Sequence, residues 1–166
     1  MSAQQSQALL SFELERRRFA IPALLVREIV RAVAVSALPR APAIVEGMIN
    51  LRGDLVPVLD IRSRFGLPAV PTHPQQYFVV AEAGARTVVL RVDHVIGLVE
   101  VPESAIEPPS LPGTEHVAGI AKLAEGLLVI HDLARFLSLD ETVALDGALP
   151  VVALPGPSLP SGDSPE

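Results

Sequence analysis

Cysteine is absent from the 166 residues, which excludes disulfide frameworks, thiol nucleophiles and thiolate zinc sites together. Tryptophan is absent too, and aromatic residues make up only 4%, so any core must be built from aliphatic side chains. Basic charge is scarce: 13 Lys and Arg stand against 19 Asp and Glu, a formal net charge of -6. That balance argues against nucleic acid or an anionic lipid surface as the main partner. Met1–Leu10 offers no basic stretch leading into an apolar one, so no secretory signal is read. The uncharged stretch Gly147–Gly162 holds four prolines and cannot be a membrane helix. A soluble, cytoplasmic protein without direct membrane insertion is expected.

Catalytic groupings are equally scarce. His73, His94, His116 and His131 are scattered, with no metal-binding pair at helical spacing. No glycine-rich loop for phosphate and no serine elbow is present. His131-Asp132 reads as the end of a strand, its two side chains on opposite faces, and not as a dyad. Asp54, Asp60, Asp93 and Asp132 read as solvated turn or strand-end carboxylates. No cofactor, no metal and no catalytic residue is expected.

What the chain has is 49% apolar residues, 16 prolines and 11 glycines, the pattern of many short strands. Leu10–Leu14 reads as a half-buried strand, Arg16-Arg17-Arg18 as a hairpin tip, and Phe19–Ile21 as the return. Pro22 followed by Leu25, Val26, Ile29 and Val30 reads as a short helical turn. Further strands are expected at Leu55–Ile61, Tyr77–Glu82, Thr87–Val92, Ile96–Val101 and Leu127–Ile130, with a hairpin turn at Ala83-Gly84. Pro102–Gly113 reads as a surface crossover loop, and Leu133–Leu137 as a turn or two of helix. A flexible N-terminus is expected at 1–7, the folded domain at 8–145 and a Pro/Ser-rich flexible tail at 146–166.

An internal repeat is the most informative feature. Gly47–Leu67 moved forward by 72 positions falls on Gly119–Leu139, with Gly47, Leu51, Leu55, Asp60 and Leu67 meeting identical residues. Val26–Ile29-Val30 echoes Val92–Val95-Ile96 at a different offset. A chance match of two strand-plus-turn segments is one reading. Two copies of a small β unit, packed face to face with a groove between them, is the other. Each copy would be about 65 to 70 residues, too small to be very stable alone. The copies differ most where Asn50-Leu51-Arg52-Gly53-Asp54 is replaced by Lys122-Leu123-Ala124-Glu125-Gly126. An isolated Arg-Gly is often a solvated turn. Here Asn50 and Gly53 suggest a shaped backbone, and Glu28 is a candidate carboxylate partner for the planar fork of Arg52.

At these residues the chain resembles a known family. Phe19-Ala20-Ile21-Pro22, Val26-Arg27-Glu28-Ile29, Asn50-Leu51-Arg52-Gly53 and Val56-Pro57-Val58-Leu59-Asp60-Ile61 follow one another as in the bacterial chemotaxis coupling family CheW. Val92–Val95, Ile106-Glu107-Pro108 and Gly119-Ile120 extend the match over roughly 8–140. The resemblance implies an all-β fold with minor short helices: two intertwined, five-stranded, SH3-like β-barrels. It implies a non-catalytic adaptor between the cytoplasmic tip of methyl-accepting chemoreceptors and the regulatory domain of a CheA-type histidine kinase. Flagellar, pilus, gliding or other outputs are all compatible with it. It places Glu28, Asn50, Leu51, Arg52 and Gly53 in receptor coupling and array assembly. Val26 and Leu51, with Val88 and Ile96 from the second copy, are expected to line the groove for the receptor tip. Pro57 is expected at a sheet edge or bulge, and Asp60 as a turn cap. His131 stands where relatives carry aliphatic or small residues, which suits a half-exposed end. The tail is read as a solvated extension, with a docking peptide as the lesser reading. Outside this family, a small-ligand-binding barrel remains, as does a nucleic-acid-binding barrel using Arg16–Arg18 and Arg62/Arg64.

Overall fold

A computed structural model describes residues 5–110, 112, 116–135 and 139–148. Eleven strands occur among them: β1 (Ser6–Leu14), β2 (Arg17–Pro22), β3 (Val26–Arg31), β4 (Val45–Leu51), β5 (Asp54–Leu59), β6 (Tyr77–Ala83), β7 (Arg86–Val92), β8 (His94–Pro102), β9 (Ile106–Glu107), β10 (Val117–Leu123) and β11 (Gly126–His131). Two short helices, α1 (Ile61–Arg64) and α2 (Leu139–Ala148), join three single 3₁₀ turns. The first sheet has the order β3-β6-β7-β5-β4 and the second β8-β1-β2-β11-β10-β9. The chain therefore starts in the second sheet, builds the whole first sheet, and returns to finish the second.

The two sheets are built alike. In each, an edge strand pairs antiparallel with a hairpin, and the hairpin's far strand pairs parallel with the last of two further antiparallel strands. The offset of 72 holds in detail. A β-bulge lies between Val45 and Gly47, and another between Val117 and Gly119. Asp60 N–H donates to Ile44 O at 2.6 Å, and Asp132 N–H donates to His116 O at 2.8 Å. Even the two-residue strand β9 has a counterpart, the single bridge of Ser36 to Met48. The edge strands correspond differently from expectation. Val26 faces Ala81 and Val95 faces Phe12, each partner lying three residues before its hairpin turn. Val26 thus corresponds to Val95, not Val92, and Glu28 to Gly97.

Apolar residues are buried in three layers. Leu10, Phe12, Leu14 and Ile21 from the second sheet meet Leu59, Val79, Val88 and Leu90 from the first in a common layer. Ile49, Val56, Val58, Phe78 and Val89 form a core on the first sheet's other face. Leu9, Ala20, Val101, Leu128 and Ile130 do the same in the second. Sheets buried on both faces need near-continuous apolar strands, which explains runs such as Thr87–Leu90. Each such side chain contributes about 1.5–3 kcal/mol of burial.

Several expectations change. Only Ala23–Leu25 forms a helical turn, and Val26–Arg31 is an edge strand. Pro102–Gly113 is not all loop, because it carries a 3₁₀ turn at Glu103–Ala105 and strand β9. Pro57 lies in β5, a strand between β4 and β7 and not at a sheet edge, one residue from the β4 bulge at Val45/Gly47. Its missing N–H is tolerated because the β7 ladder begins one residue later, at Val58. His131 is 0% exposed, ringed by Phe12, Phe19 and Phe65 at 6.0, 5.5 and 4.7 Å. Burial, with the neighbouring His116 adding to it, lowers its pKa from 6.5 to about 3. Asp60 does cap α1, accepting from Arg62 N–H at 3.1 Å. Helix α2 runs across residue 145, with Leu145 in the common core. Residues 149–166 and 1–4, where the flexible ends are expected, lie outside the described residues.

Asp93 is not a solvated strand end, and Arg62 offers no basic face. The Arg62 side chain, 3% exposed, pairs with Glu15 at 2.7 Å and with Asp93. Gln76 Nε2 and Glu15 N–H both donate to Asp93 at 3.0 Å. Burial alone would raise the Asp93 carboxyl, but the Glu15 N–H, Arg62 and Gln76 together hold it below its ordinary value. This cluster ties α1, which follows β5 of the first sheet, to the β1–β2 hairpin of the second.

Candidate functional site

Arg52-Gly53 is the two-residue turn between β4 and β5, with Leu51 facing Asp54. Both residues have positive φ, 55° and 94°, the backbone that such a hairpin turn requires and that glycine adopts without strain. Asn50 Oδ1 accepts from Gly53 N–H at 2.7 Å, bracing the turn from its base. The sequence Asn-Leu-Arg-Gly therefore encodes a fixed platform that lifts one arginine off the sheet.

Arg52 does not wave free. Its Nη1 donates to Glu28 Oε2 at 2.6 Å and its Nη2 to Glu28 Oε1 at 2.8 Å, a bidentate fork. The hydrogen bond from Arg52 holds the Glu28 carboxyl below its ordinary value against the opposing effect of burial. The Arg52 side chain remains 73% exposed, so one face of the guanidinium and its remaining donors stay open to a partner.

Behind the pair lies an open depression of about 290 Å³ that includes Leu51, Leu55, Pro57 and Val80 in its lining. Arg27 and Glu28 both line it although they are consecutive. The bulge between Val26 and Glu28 allows this by breaking the strand's alternation. Arg27 reaches Glu82 and Thr87, both at 3.3 Å, and Arg86 pairs with Asp146 of α2. Every arginine of the depression has a carboxylate partner.

Glu28, Leu51 and Arg52 meet there, with Asn50 and Gly53 shaping the turn. Val26, Val88 and Ile96 do not line it. Val26 packs against the common core. Val88 belongs to β7 of the first sheet and is 0% exposed, because the chain completes the first sheet through β7 before it re-enters the second. Ile96 is exposed on the edge strand of the second sheet. The depression lies on one sheet and not between the two. Arg27, Arg86 and Thr87 were not singled out from sequence. Their partners are 55, 60 and 60 residues away, and no short motif carries such a separation. An exposed, braced arginine among paired charges over an apolar floor suits recognition.

Comparison with known proteins agrees with this geometry. A family model described as the CheW-like domain matches residues 8–141. The chemotaxis protein CheW of Klebsiella aerogenes is 30% identical over 144 residues, covering 84% of this chain and 87% of that protein. Protein FrzA of Myxococcus xanthus is 29% identical over 143 residues, covering 84% and 89%. The crystal structure of the scaffolding protein TtCheW from Thermoanaerobacter tengcongensis superposes with a TM-score of 0.74 at 28% identity, covering 82% of this chain and 96% of that one.

Proposed function

The chain belongs to the CheW family, and on that premise we propose that it is a non-catalytic adaptor coupling chemoreceptors to a CheA-type histidine kinase. The observation that carries the coupling role is the Arg52–Glu28 fork on an exposed, braced turn. The second sheet has Ala124 and Gly97 at the corresponding positions, so the fork is not a requirement of the fold. Among the described residues no helix is long and apolar enough to cross a membrane. In the proposal, recruitment to the membrane comes through the receptors. Similarity to FrzA is as high as to several chemotaxis proteins, so the proposal names the coupling step and not the motility output.

An adaptor transmits a state only by binding its partners differently in the two signalling states. Many weak contacts in a lattice then raise effective concentration. The test is co-sedimentation of the kinase with receptor-containing membranes, with and without this protein, reading kinase activity in the pellet. Recruitment and activation are expected to require it, and Arg52→Glu is expected to abolish them while the melting temperature holds. Wild-type coupling by Arg52→Glu removes this site from the mechanism, and failure of the wild type to bind either partner removes the function.

A further inference from the structure

The repeat that builds the first depression builds a second at the corresponding corner of the other sheet. There the β10–β11 turn lies beside the β1–β2 hairpin, as the β4–β5 turn lies beside β6–β7. A groove of about 430 Å³ opens between them, with Leu127 and Val129 in its lining. These two stand 72 residues after Leu55 and Pro57 of the first depression. Counted from the hairpin turns, Arg17 and Arg18 stand where Arg86 and Thr87 stand in the first sheet.

The chemistry has changed. In the first depression each arginine has a carboxylate partner in the chain: Arg27 pairs with Glu82, Arg52 with Glu28, Arg86 with Asp146. In the second, Arg16, Arg17 and Arg18 line the rim, and one carboxylate, Glu125, faces Arg18 at 4.0 Å. No ion pair joins Arg16 or Arg17 to a carboxylate among the described residues. This excess of positive charge stands on a chain of net charge -6, so it is local and not a consequence of composition. The floor differs as well. Leu127 is 59% exposed, and Phe19 and Phe65 pack beside it with ring centroids 4.7 Å apart. An apolar floor under a rim of unneutralised arginines lacks two things: a large apolar side chain and carboxylates beside it.

We propose that this groove is a second docking surface, for an acidic peptide segment of a protein partner that inserts a large apolar side chain over Leu127 and places carboxylates against Arg16 and Arg17. It is independent of the Arg52 turn, and the two are separately testable. Arg16 and Arg17 are exposed on a hairpin whose turn residues Glu15 and Arg16 already hold positive φ, 51° and 66°. Substitution of Arg17 or Leu127 there leaves the core untouched.

The test uses the full chain, isotopically labelled, titrated with three short synthetic peptides and followed by NMR: one of alternating Glu and Leu, one of Lys and Leu, and one of Glu and Ser. Saturable shifts confined to the Arg16–Arg18 and Glu125–Val129 segments are expected with the Glu/Leu peptide alone. Arg17→Glu and Leu127→Glu are each expected to weaken it about tenfold or more, while Arg52→Glu leaves it unchanged. Equal binding of the Lys/Leu peptide, or of Glu/Ser, overturns the stated chemistry. Absence of saturable binding overturns the site. Binding that appears only after removal of residues 149–166 assigns the groove to the chain's own acidic, Leu-containing end, and binding of vesicles of anionic lipid in place of peptide assigns it to a membrane. Either result overturns a protein partner.

Discussion

The two sheets share strand order, bulges and the hydrogen bonds that close their last strands, yet their corresponding corners differ in charge. The first carries a neutralised, braced arginine on a tight turn. The second, at the same corner, carries three arginines with one carboxylate and an exposed leucine. Duplication supplies a scaffold whose backbone is already satisfied. The corners, which bear little of the packing, are where residues diverge without endangering the fold.

Exchanging residues between equivalent positions breaks this comparison most directly. At neutral pH the largest effect is expected at Arg62, whose counterpart 72 residues on is Ala134. Arg62→Ala leaves Asp93 and Glu15 without their cation at the junction of the sheets. A loss of about 3 kcal/mol is expected in urea unfolding, because breaking a largely buried pair strands the remaining charge. Ala134→Arg, on an exposed turn, is expected to change stability by less than about 0.5 kcal/mol. Equal effects would dissolve the distinction between a tied and an untied copy.

Next come the paired glycines. A Cβ at Gly47 meets the Ser36 carbonyl oxygen at 2.2 Å and Val35 Cγ1 at 2.7 Å, whereas at Gly119 it meets Ile106 Cγ2 at 2.5 Å. Backbone cannot swing aside and a side chain can. Gly47→Ala is therefore expected to cost about 2 kcal/mol and Gly119→Ala about 1 kcal/mol, read as a difference in thermal melting. The reverse order would mean that the edge at Ser36 is the softer of the two.

A third contrast is set by pH. His131 occupies the position of Leu59 in the first copy. Its folded pKa is about 3 against 6.5, so as pH falls below 6.5 the unfolded chain takes a proton that the native one refuses. More protons on the unfolded state means stability that rises with pH in this window. The histidine should contribute about 1.4 kcal/mol per pH unit between those values, with nothing further lost below the lower one. His131→Leu is expected to flatten the dependence relative to the parent over that range. An unchanged slope would place the proton elsewhere. Asp93 acts at the acid end: its lowered pKa gives stability that is present above the ordinary carboxylate range and lost as pH falls through its folded value.

The smallest effect on stability is expected where the largest effect on coupling is proposed. Arg52→Ala removes an exposed ion pair, and such pairs add little to folding. The melting temperature should hold while coupling falls. A matching fall in both would make Arg52 a structural residue and leave the first corner no more specialised than the second.

Much of this was legible in the sequence because it is local or periodic. The strands, the hairpin near Gly84, the Arg16 tip, the Asp60 cap and the 72-residue repeat each follow from alternation, glycine and proline placement, or direct identity. The Asn50–Gly53 turn and the Glu28 partner were read correctly as candidates because their residue types dictate backbone shape and charge pairing. The placement of Val88 failed for a physical reason: a repeat read in chain order assigns that strand to the second unit, whereas pairing returns it to the first. The bulge that brings Arg27 beside Glu28 inverts alternation at one residue and leaves no mark in composition. Helix α2 carries too weak an apolar stripe to announce itself; Leu145 anchors it only once a core exists to receive it.

By itself, then, the amino-acid order determined the β class, the duplication and the one turn whose backbone is shaped by Asn50 and Gly53 around Arg52, since these depend on interactions between near neighbours. Tertiary structure alone decided which strands share a sheet, that Arg62 is buried between them, that His131 is enclosed by Phe12, Phe19 and Phe65, and that the second corner gathers Arg16–Arg18 over Leu127. Each of those depends on segments far apart in the chain, brought together by strand pairing within a sheet or by the packing of one sheet on the other.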